Sequence, residues 1–408
     1  MRCSPEALPE FLLRRAAARL PDAIELLRRL VAVNSFTTNA SGVDAVAGIT
    51  AEAFASLGFH PESIASAARG SGNHLFLTRT GSGGGCPVVL VTHSDTVFPA
   101  EEEIRNNFHW DERPEEGRIY GPGTIDNKGG TALIWLTLSL LQENAPDFFA
   151  KTSWLVAANA AEEVTGDDFA GAVTALCAGK ARAVLVFEGG PVDEQGWHLV
   201  TSRKGRSTWK LTAAGRASHA GSNHAGGVNA IEALVRVLPD IAAQTDRSEG
   251  VTVNIGSFHG GTVVNRVPHE AFAEWECRAV DPGALQKADA FFATLSATTE
   301  AGAVLTSTRT GHTAAWPGGE AAASLYRRWE EAAAMIGLTT VPVARGGLSD
   351  ANHLSHLGPT LDGLGPSGAN DHCSERSPDG GRLPEYIETE SLVPKAVMNA
   401  LALLSLDE

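Results

Sequence analysis

Three apolar, β-branched runs in the first half of the chain share one property. Each closes on polar residues: "PVVLVTHSD" ends in His93 and Asp95, "SWLVAANAAEE" in Glu162 and Glu163, and "ARAVLVFEGG" leads to Glu188. Continuous apolar runs separated by helical segments such as "GGTALIWLTLSLLQEN" predict a largely parallel sheet buried on both faces. In such sheets ligands sit beyond the carboxyl ends of the strands. These polar residues are therefore expected to converge on one edge.

The pattern changes in the middle of the chain. "STWKLTAAG" (Ser207–Gly215) alternates, with Thr208, Lys210 and Thr212 marking a half-exposed sheet. A helical run around "VNAIEALVRVLPDIAAQ" follows, then strand-like "VTVNIGSF" and "HEAFAEWECRAV", a helical "ALQKADAFFATLSATT" and strand-like "AVLTSTRT". That order is β-α-β-β-α-β, the split arrangement of a ferredoxin-like domain. Afterwards helix "AAASLYRRWEEAAAMIG", strand "TTVPVARGG" and helix "ESLVPKAVMNALALLSL" return to the first pattern. The expected fold is α/β: a mostly parallel-sheet domain with helices on both faces, discontinuous over residues 1–205 and 313–408. An inserted ferredoxin-like α+β domain, residues 206–312, interrupts it.

Composition narrows the function. The 408 residues are 43% hydrophobic, ordinary for a soluble globular chain with a sizeable core. A formal net charge of -16 argues against nucleic acid and anionic membranes as partners, since neither attracts a polyanion. The five cysteines (Cys3, Cys86, Cys177, Cys277, Cys373) form no CxxC pair, so neither a disulfide framework nor a thiolate zinc site is indicated, and a reducing cytoplasm is the expected compartment. The start "MRCSPEALPEFLLRRAAARL" is too interrupted by Pro, Glu and Arg for a signal peptide, and predicts an amphipathic surface helix. No segment approaches the roughly 18 apolar residues of a membrane span.

Adjacent carboxylates at the end of a buried strand repel one another and resist desolvation. A lone His or Asp in a loop is ordinarily a cap or a surface group, but His93, Asp126, Glu163, Glu188 and His372 form a set. They offer imidazole nitrogens and carboxylate oxygens without thiolates, which suits zinc or a comparable divalent ion kept open for catalysis. Five carboxylate-rich ligands suggest two ions bridged by a carboxylate, about 3.5–4 Å apart. "GPGTIDNKGG" lacks the spacing of a nucleotide-binding glycine loop. Its glycines instead suit a tight turn that aims Asp126, with Gly129 and Gly130 letting the next helix pack closely.

These residues resemble the metallocarboxypeptidase and deacylase family, which includes glutamate carboxypeptidase, succinyl-diaminopimelate desuccinylase, acetylornithine deacetylase and aminoacylase. The resemblance covers nearly the whole chain. "HSDTV", "GRIYGPGTIDNKGG", "AEE" and "FEGG" are similar to the family's metal and base motifs, and "SRKG", "GRASHAG", "NRVP" and "GGLSDAN" to its domain junction, lid and substrate regions. It implies that residues 1–205 and 313–408 form a metal-binding catalytic domain and 206–312 a lid and dimerisation domain. Asp126 would bridge two Zn2+ ions, with Co2+ or Mn2+ as alternatives; His93 and Glu188 would complete one site, and Glu163 and His372 the other.

By the same resemblance Glu162 is the general base, Asp95 orients His93 from behind, and a cis peptide follows the bridging aspartate, although Asn127 stands where methionine is common. His219 in "GRASHAG" would be the lid histidine, serving the active site of a partner subunit in a homodimer joined through the lid. Arg278 and Asn265 would clamp a substrate carboxylate, for which a guanidinium has the forked donor geometry. Arg345 beside "GGLSDAN" suits a second acidic group, and Lys204 is a further local cation. Glu188 as third ligand, rather than Asp, is typical of the carboxypeptidase and deacylase branches. The expected reaction is hydrolysis of an amide or peptide bond next to a free carboxylate, on a short peptide or an N-acyl amino acid. A glutamate-carboxypeptidase-like exopeptidase leads and an acyl-amino-acid deacylase follows; a metal-dependent deaminase and an inactive binding homologue are remoter readings.

Overall fold

The computed structural model describes residues 8–407; Met1 to Ala7, and with them Cys3 and the start of the expected N-terminal helix, lie outside the described residues. The chain divides into two compact units. One comprises residues 1–201, 318–343 and 349–408, and the other residues 202–317 and 344–348. The sequence placed the junctions at 205/206 and 312/313. The observed divisions fall a few residues further out, and the short segment 344–348 joins the second unit because its backbone bonds there: Lys204 N–H donates to Arg345 O at 3.0 Å.

The first unit is built on a six-stranded sheet. Its spatial order is His60–Ala65, Asn73–Arg79, Trp154–Asn159, Val88–His93, Ala183–Val186 and Thr360–Leu361. Val88–His93 runs parallel to both neighbours, and Thr360–Leu361 runs parallel to Ala183–Val186. The first two strands are antiparallel. Every residue of Val88–His93 and Trp154–Asn159 is buried, as a strand covered on both faces requires. His60–Ala65 is mostly exposed and lies at the sheet edge, which is why no apolar run announces it.

Helix Lys128–Asn144 is buried from Lys128 to Leu141 and packs against the helices Leu8–Val31 and Leu392–Leu404. A helix apolar on all sides belongs inside a large domain. Its first turn lies against the sheet at a distance only glycine allows. A Cβ on Gly129 would sit 2.0 Å from Thr124 O, and one on Gly130 would sit 1.9 Å from Asn127 Oδ1 and 2.3 Å from Phe187 O.

The second unit carries a five-stranded antiparallel sheet in the order Thr252–Gly260, Glu270–Ala279, Gly205–Ala214, Val304–Thr313, Ala297–Thr298. With helices Ala230–Val235, Leu238–Ala242 and Pro282–Ala293 this is the expected β-α-β-β-α-β order with one short strand added. The helical run after Val228 is split in two, since Pro239 opens a new helix and cannot donate within the old one. One sheet face is buried. There Trp209 and Trp275 stack with centroids 6.4 Å apart and both meet Phe292, while Trp209 Nε1 donates to buried Asp289 at 3.0 Å.

Gly130→Ala is expected to force the first turn of the Lys128–Asn144 helix off the sheet, costing about 1–3 kcal/mol. Urea unfolding measures this; an unchanged midpoint would mean that the helix can slide away at no cost.

Candidate metal centre

Trp154–Asn159, Val88–His93 and Ala183–Val186 are neighbours and parallel, so their carboxyl ends open on the same edge. His93 is the last residue of its strand and 1% exposed. Glu162 and Glu163 follow Trp154–Asn159, and Glu188 follows Ala183–Val186. Asp126 arrives from the loop before helix Lys128–Asn144, and its peptide bond to Asn127 is cis. His372 lies between the short strands Gly368–Ala369 and Tyr386–Glu388, with φ +63°, a left-handed conformation uncommon outside glycine.

The five side chains meet. His93 Nε2 lies 2.7 Å from Asp126 Oδ1 and 3.8 Å from Glu188 Oε1. His372 Nε2 lies 3.3 Å from Asp126 Oδ2 and 3.2 Å from Glu163 Oε2. They form two donor triads, His93–Asp126–Glu188 and Asp126–Glu163–His372, each with its ligand atoms within 4.8 Å of one another. Asp126 belongs to both, one oxygen to each.

The donor set fits a cation. His93 Nδ1 is 3.0 Å from the main-chain O of Asp95 and 3.3 Å from its Oδ1, so this nitrogen carries the proton. A neutral His93 then presents the Nε2 lone pair to Asp126 and Glu188, acceptor facing acceptor. Glu163 Oε1 is buried without any hydrogen-bond partner. A divalent ion relieves both conflicts, and nitrogen with carboxylate oxygen is the donor set of zinc and its neighbours.

Without such a charge the imidazoles take up the compensation. Burial disfavours the charged form of His93, yet its hydrogen bonds to Asp126 and Asp95 outweigh this and raise its pKa well above the ordinary value. His372, bonded to Asp126 and Glu163, is pushed up to about 11. Burial would raise Asp126, but the two histidines win and lower it. Glu162 has no such partner: burial, with Glu188, Asp350 and Glu163 nearby, drives its carboxyl far above the usual range against the opposing pull of His93.

Asp95 is fully buried and does more than face His93. Its carboxylate accepts from Thr37 Oγ1 at 2.7 Å and from the backbone N–H groups of Glu162 at 3.1 Å and Glu163 at 3.4 Å. One carboxylate thus fixes both the imidazole and the turn that carries the paired glutamates. Asn127 Nδ2 donates to Glu188 Oε1 at 2.9 Å, a specific contact to one of the candidate ligands. Sequence reasoning missed Thr37, Asp350 and Glu385. Asp350 is buried, accepts from Asn159 Nδ2 at 2.9 Å, and is pushed by burial to about 7; it sits in the quoted "GGLSDAN", but nothing local marks its side chain as inward.

The second unit holds the remaining candidates. His219 is exposed, and its Nδ1 accepts from the N–H groups of Gly221 and Ser222, both at 3.1 Å. Its neutral ring therefore carries the proton on Nε2. Ala220 N–H donates to Asn265 O at 3.0 Å, which joins the loops of His219 and Asn265. Arg278 is held by Glu276, Nε at 2.9 Å and Nη2 at 3.1 Å, and donates through Nη1 to Gly346 O at 2.9 Å. Arg345 is half-buried beside that segment.

Asp95→Ala is expected to cost more than about 2 kcal/mol, because Thr37 and two backbone N–H groups lose their acceptor. Asp95→Asn, which keeps one carbonyl oxygen, recovers part of it. Urea unfolding decides, and wild-type stability in Asp95→Ala would show that those donors are satisfied elsewhere.

Residues 201–301 match the M20 peptidase dimerisation domain. Carboxypeptidase G2 of Pseudomonas sp. (strain RS-16) is 30% identical over 261 residues, 64% of this chain and 60% of that protein. Acetylornithine deacetylase of Pectobacterium carotovorum is 30% identical over 265 residues, 61% of this chain and 65% of that protein. The chain thus spans less than two thirds of the length of either relative. In fold it is similar to the crystal structure of aminopeptidase PepT from Bacillus cereus, with a TM-score of 0.75 at 21% identity, over 95% of this chain and 99% of that one. Residues 201–301 thus match an M20 peptidase dimerisation domain within an α/β fold, and carboxypeptidase G2 and acetylornithine deacetylase, to which the chain is similar in sequence, are the kinds of protein its motifs resemble.

Proposed function

We propose that the chain is a dinuclear-metal hydrolase that cleaves an amide or peptide bond next to a free carboxylate, as a glutamate-carboxypeptidase-like exopeptidase does. One observation carries this reading: the two oxygens of Asp126 are divided between two donor triads, each completed by one histidine and one glutamate. Carboxypeptidase G2 among the relatives supports it. Two Zn2+ ions, or Co2+ or Mn2+, would polarise the scissile carbonyl and bring the pKa of water towards about 7.

The chain's own residues do the rest. Glu162, anchored through its backbone to Asp95, takes the proton from the attacking water and returns it to the leaving amine. His219, its Nδ1 taken by the N–H groups of Gly221 and Ser222, supplies a neutral Nε2–H donor for the carbonyl oxygen as it gains charge. The dimerisation domain supports a homodimer, and the resemblance implies that the lid of one copy would serve the metal centre of the other. Arg278, oriented by Glu276, clamps the substrate's free carboxylate together with Asn265, and Arg345 meets a second acidic group.

An N-acyl-amino-acid deacylase uses the same machinery, and the acetylornithine deacetylase relative favours it as the second reading. A panel of N-acetyl and N-succinyl amino acids, dipeptides and folyl-type glutamates, assayed with the zinc-loaded protein, separates the two. Faster turnover of simple acyl amino acids reverses the order, and no metal-dependent hydrolysis of any member removes both.

Two variants divide the paired glutamates. Glu162→Gln is expected to keep its metal while kcat falls about 10²–10⁴-fold. Glu163→Ala is expected to bind one ion fewer, read by elemental analysis after dialysis. Full activity in both would sink the assignment.

A further inference from the structure

Glu385 is a fully buried carboxylate for which the hydrolytic chemistry has no use. Its Oε1 accepts from the backbone N–H groups of Ile125 at 2.9 Å and Asp126 at 3.1 Å. Its own N–H donates to Cys373 O at 2.8 Å, and its carbonyl accepts from Gly121 N–H at 3.3 Å. A single residue therefore grips both ends of the loop that presents Asp126 and the residue adjacent to His372. Its Oε2 is buried with no hydrogen-bond partner, so the contacts through Oε1 are what the side chain contributes. The buried ammonium of Lys128, the first residue of the following helix, lies within electrostatic reach.

Burying a carboxylate costs several kcal/mol unless its position returns something. The strands that flank the two loops are paired, Arg118–Tyr120 with Tyr386–Glu388 and Tyr386–Glu388 with Gly368–Ala369, and the Glu385 side chain adds the bond to the Asp126 peptide itself. Asp126 enters the centre from before helix Lys128–Asn144, while His372 sits on the long connection between Gly368–Ala369 and Tyr386–Glu388. His93 and Glu188, by contrast, are set by adjacent sheet strands, and Asn127 holds Glu188 separately.

We propose that Glu385 is a positioning residue that locks the Asp126 loop to the His372 loop and thereby selectively sets the affinity of the Asp126–Glu163–His372 ion. This rests on the dinuclear reading above. The side chain ties the Asp126 peptide to main chain that bonds Cys373 O, beside His372; without it Asp126 keeps its neighbour Asn127 bonded to Glu188 but loses its tie to the His372 loop. Losing the Glu385 side chain therefore loosens the Asp126–Glu163–His372 ion more than the other.

The test is a titration of the full-length, metal-free protein with Co2+, followed by calorimetry and by visible absorption, on wild type, Glu385→Met and Glu385→Gln. His372→Ala identifies which binding step belongs to its triad. E385M fills the same volume without an acceptor and is expected to weaken that step roughly 10–100-fold while leaving the other within about threefold. E385Q retains one carbonyl oxygen for the same N–H groups and is expected to weaken it only severalfold, restoring most of the absorption. Equal weakening of both steps would reveal a merely structural residue and overturn the proposal. So would wild-type affinity at both steps in the two variants, or in E385Q alone should E385M not fold. A wild-type protein that takes up no Co2+ would overturn the dinuclear reading itself, an outcome visible before any variant is measured.

Discussion

The structure turns on the division of one carboxylate between two histidines. Asp126 directs one oxygen to His93 and the other to His372, at 2.7 and 3.3 Å, while Glu188 and Glu163 close in from either side. Three acidic groups this close repel each other, and burial removes the water that would screen them. Nothing in a chain with net charge -16 relieves this by general attraction. Local cations must, which accounts for the strongly raised pKa of both histidines and for the fit of the cluster to divalent ions.

Around that point the chain assembles a scaffold of buried polar residues, each tied to more than one part. Asp95 joins Thr37, His93 and the backbone of Glu162 and Glu163. Asn127 holds Glu188, and Glu385 holds the Asp126 loop. Groups so placed fix tautomer and direction at the cost of desolvation, the arrangement expected where donor geometry matters more than stability. The second unit repeats the device on a smaller scale: two backbone N–H groups set the tautomer of His219, and Glu276 sets the plane of Arg278.

Much of this was legible in the sequence because it follows from strand ends. A strand buried on both faces writes a continuous apolar run, and the polar residues after it fall on the edge where parallel strands deliver ligands. His93, Glu162, Glu163 and Glu188 were found that way, and the ferredoxin-like order of the second unit emerged from its alternation. The antiparallel edge strand His60–Ala65 was not, since an exposed polar strand has no apolar signature. Glu385 and Thr37 were missed for another reason. Each reaches its partner from more than 50 residues away, Thr37 to Asp95 and Glu385 to Asp126, and no local period encodes such a contact. Asp350 and Asn127 lay inside quoted motifs, yet the direction of their side chains depends on tertiary packing alone.

The most direct test is the number of divalent ions bound per chain at equilibrium, measured by calorimetric titration of the metal-free wild-type protein with Zn2+ and checked by elemental analysis. Two ions per chain, with Asp126→Ala abolishing both, is the result that a shared carboxylate requires. A single ion that survives Asp126→Ala, or no bound ion at all, would contradict it.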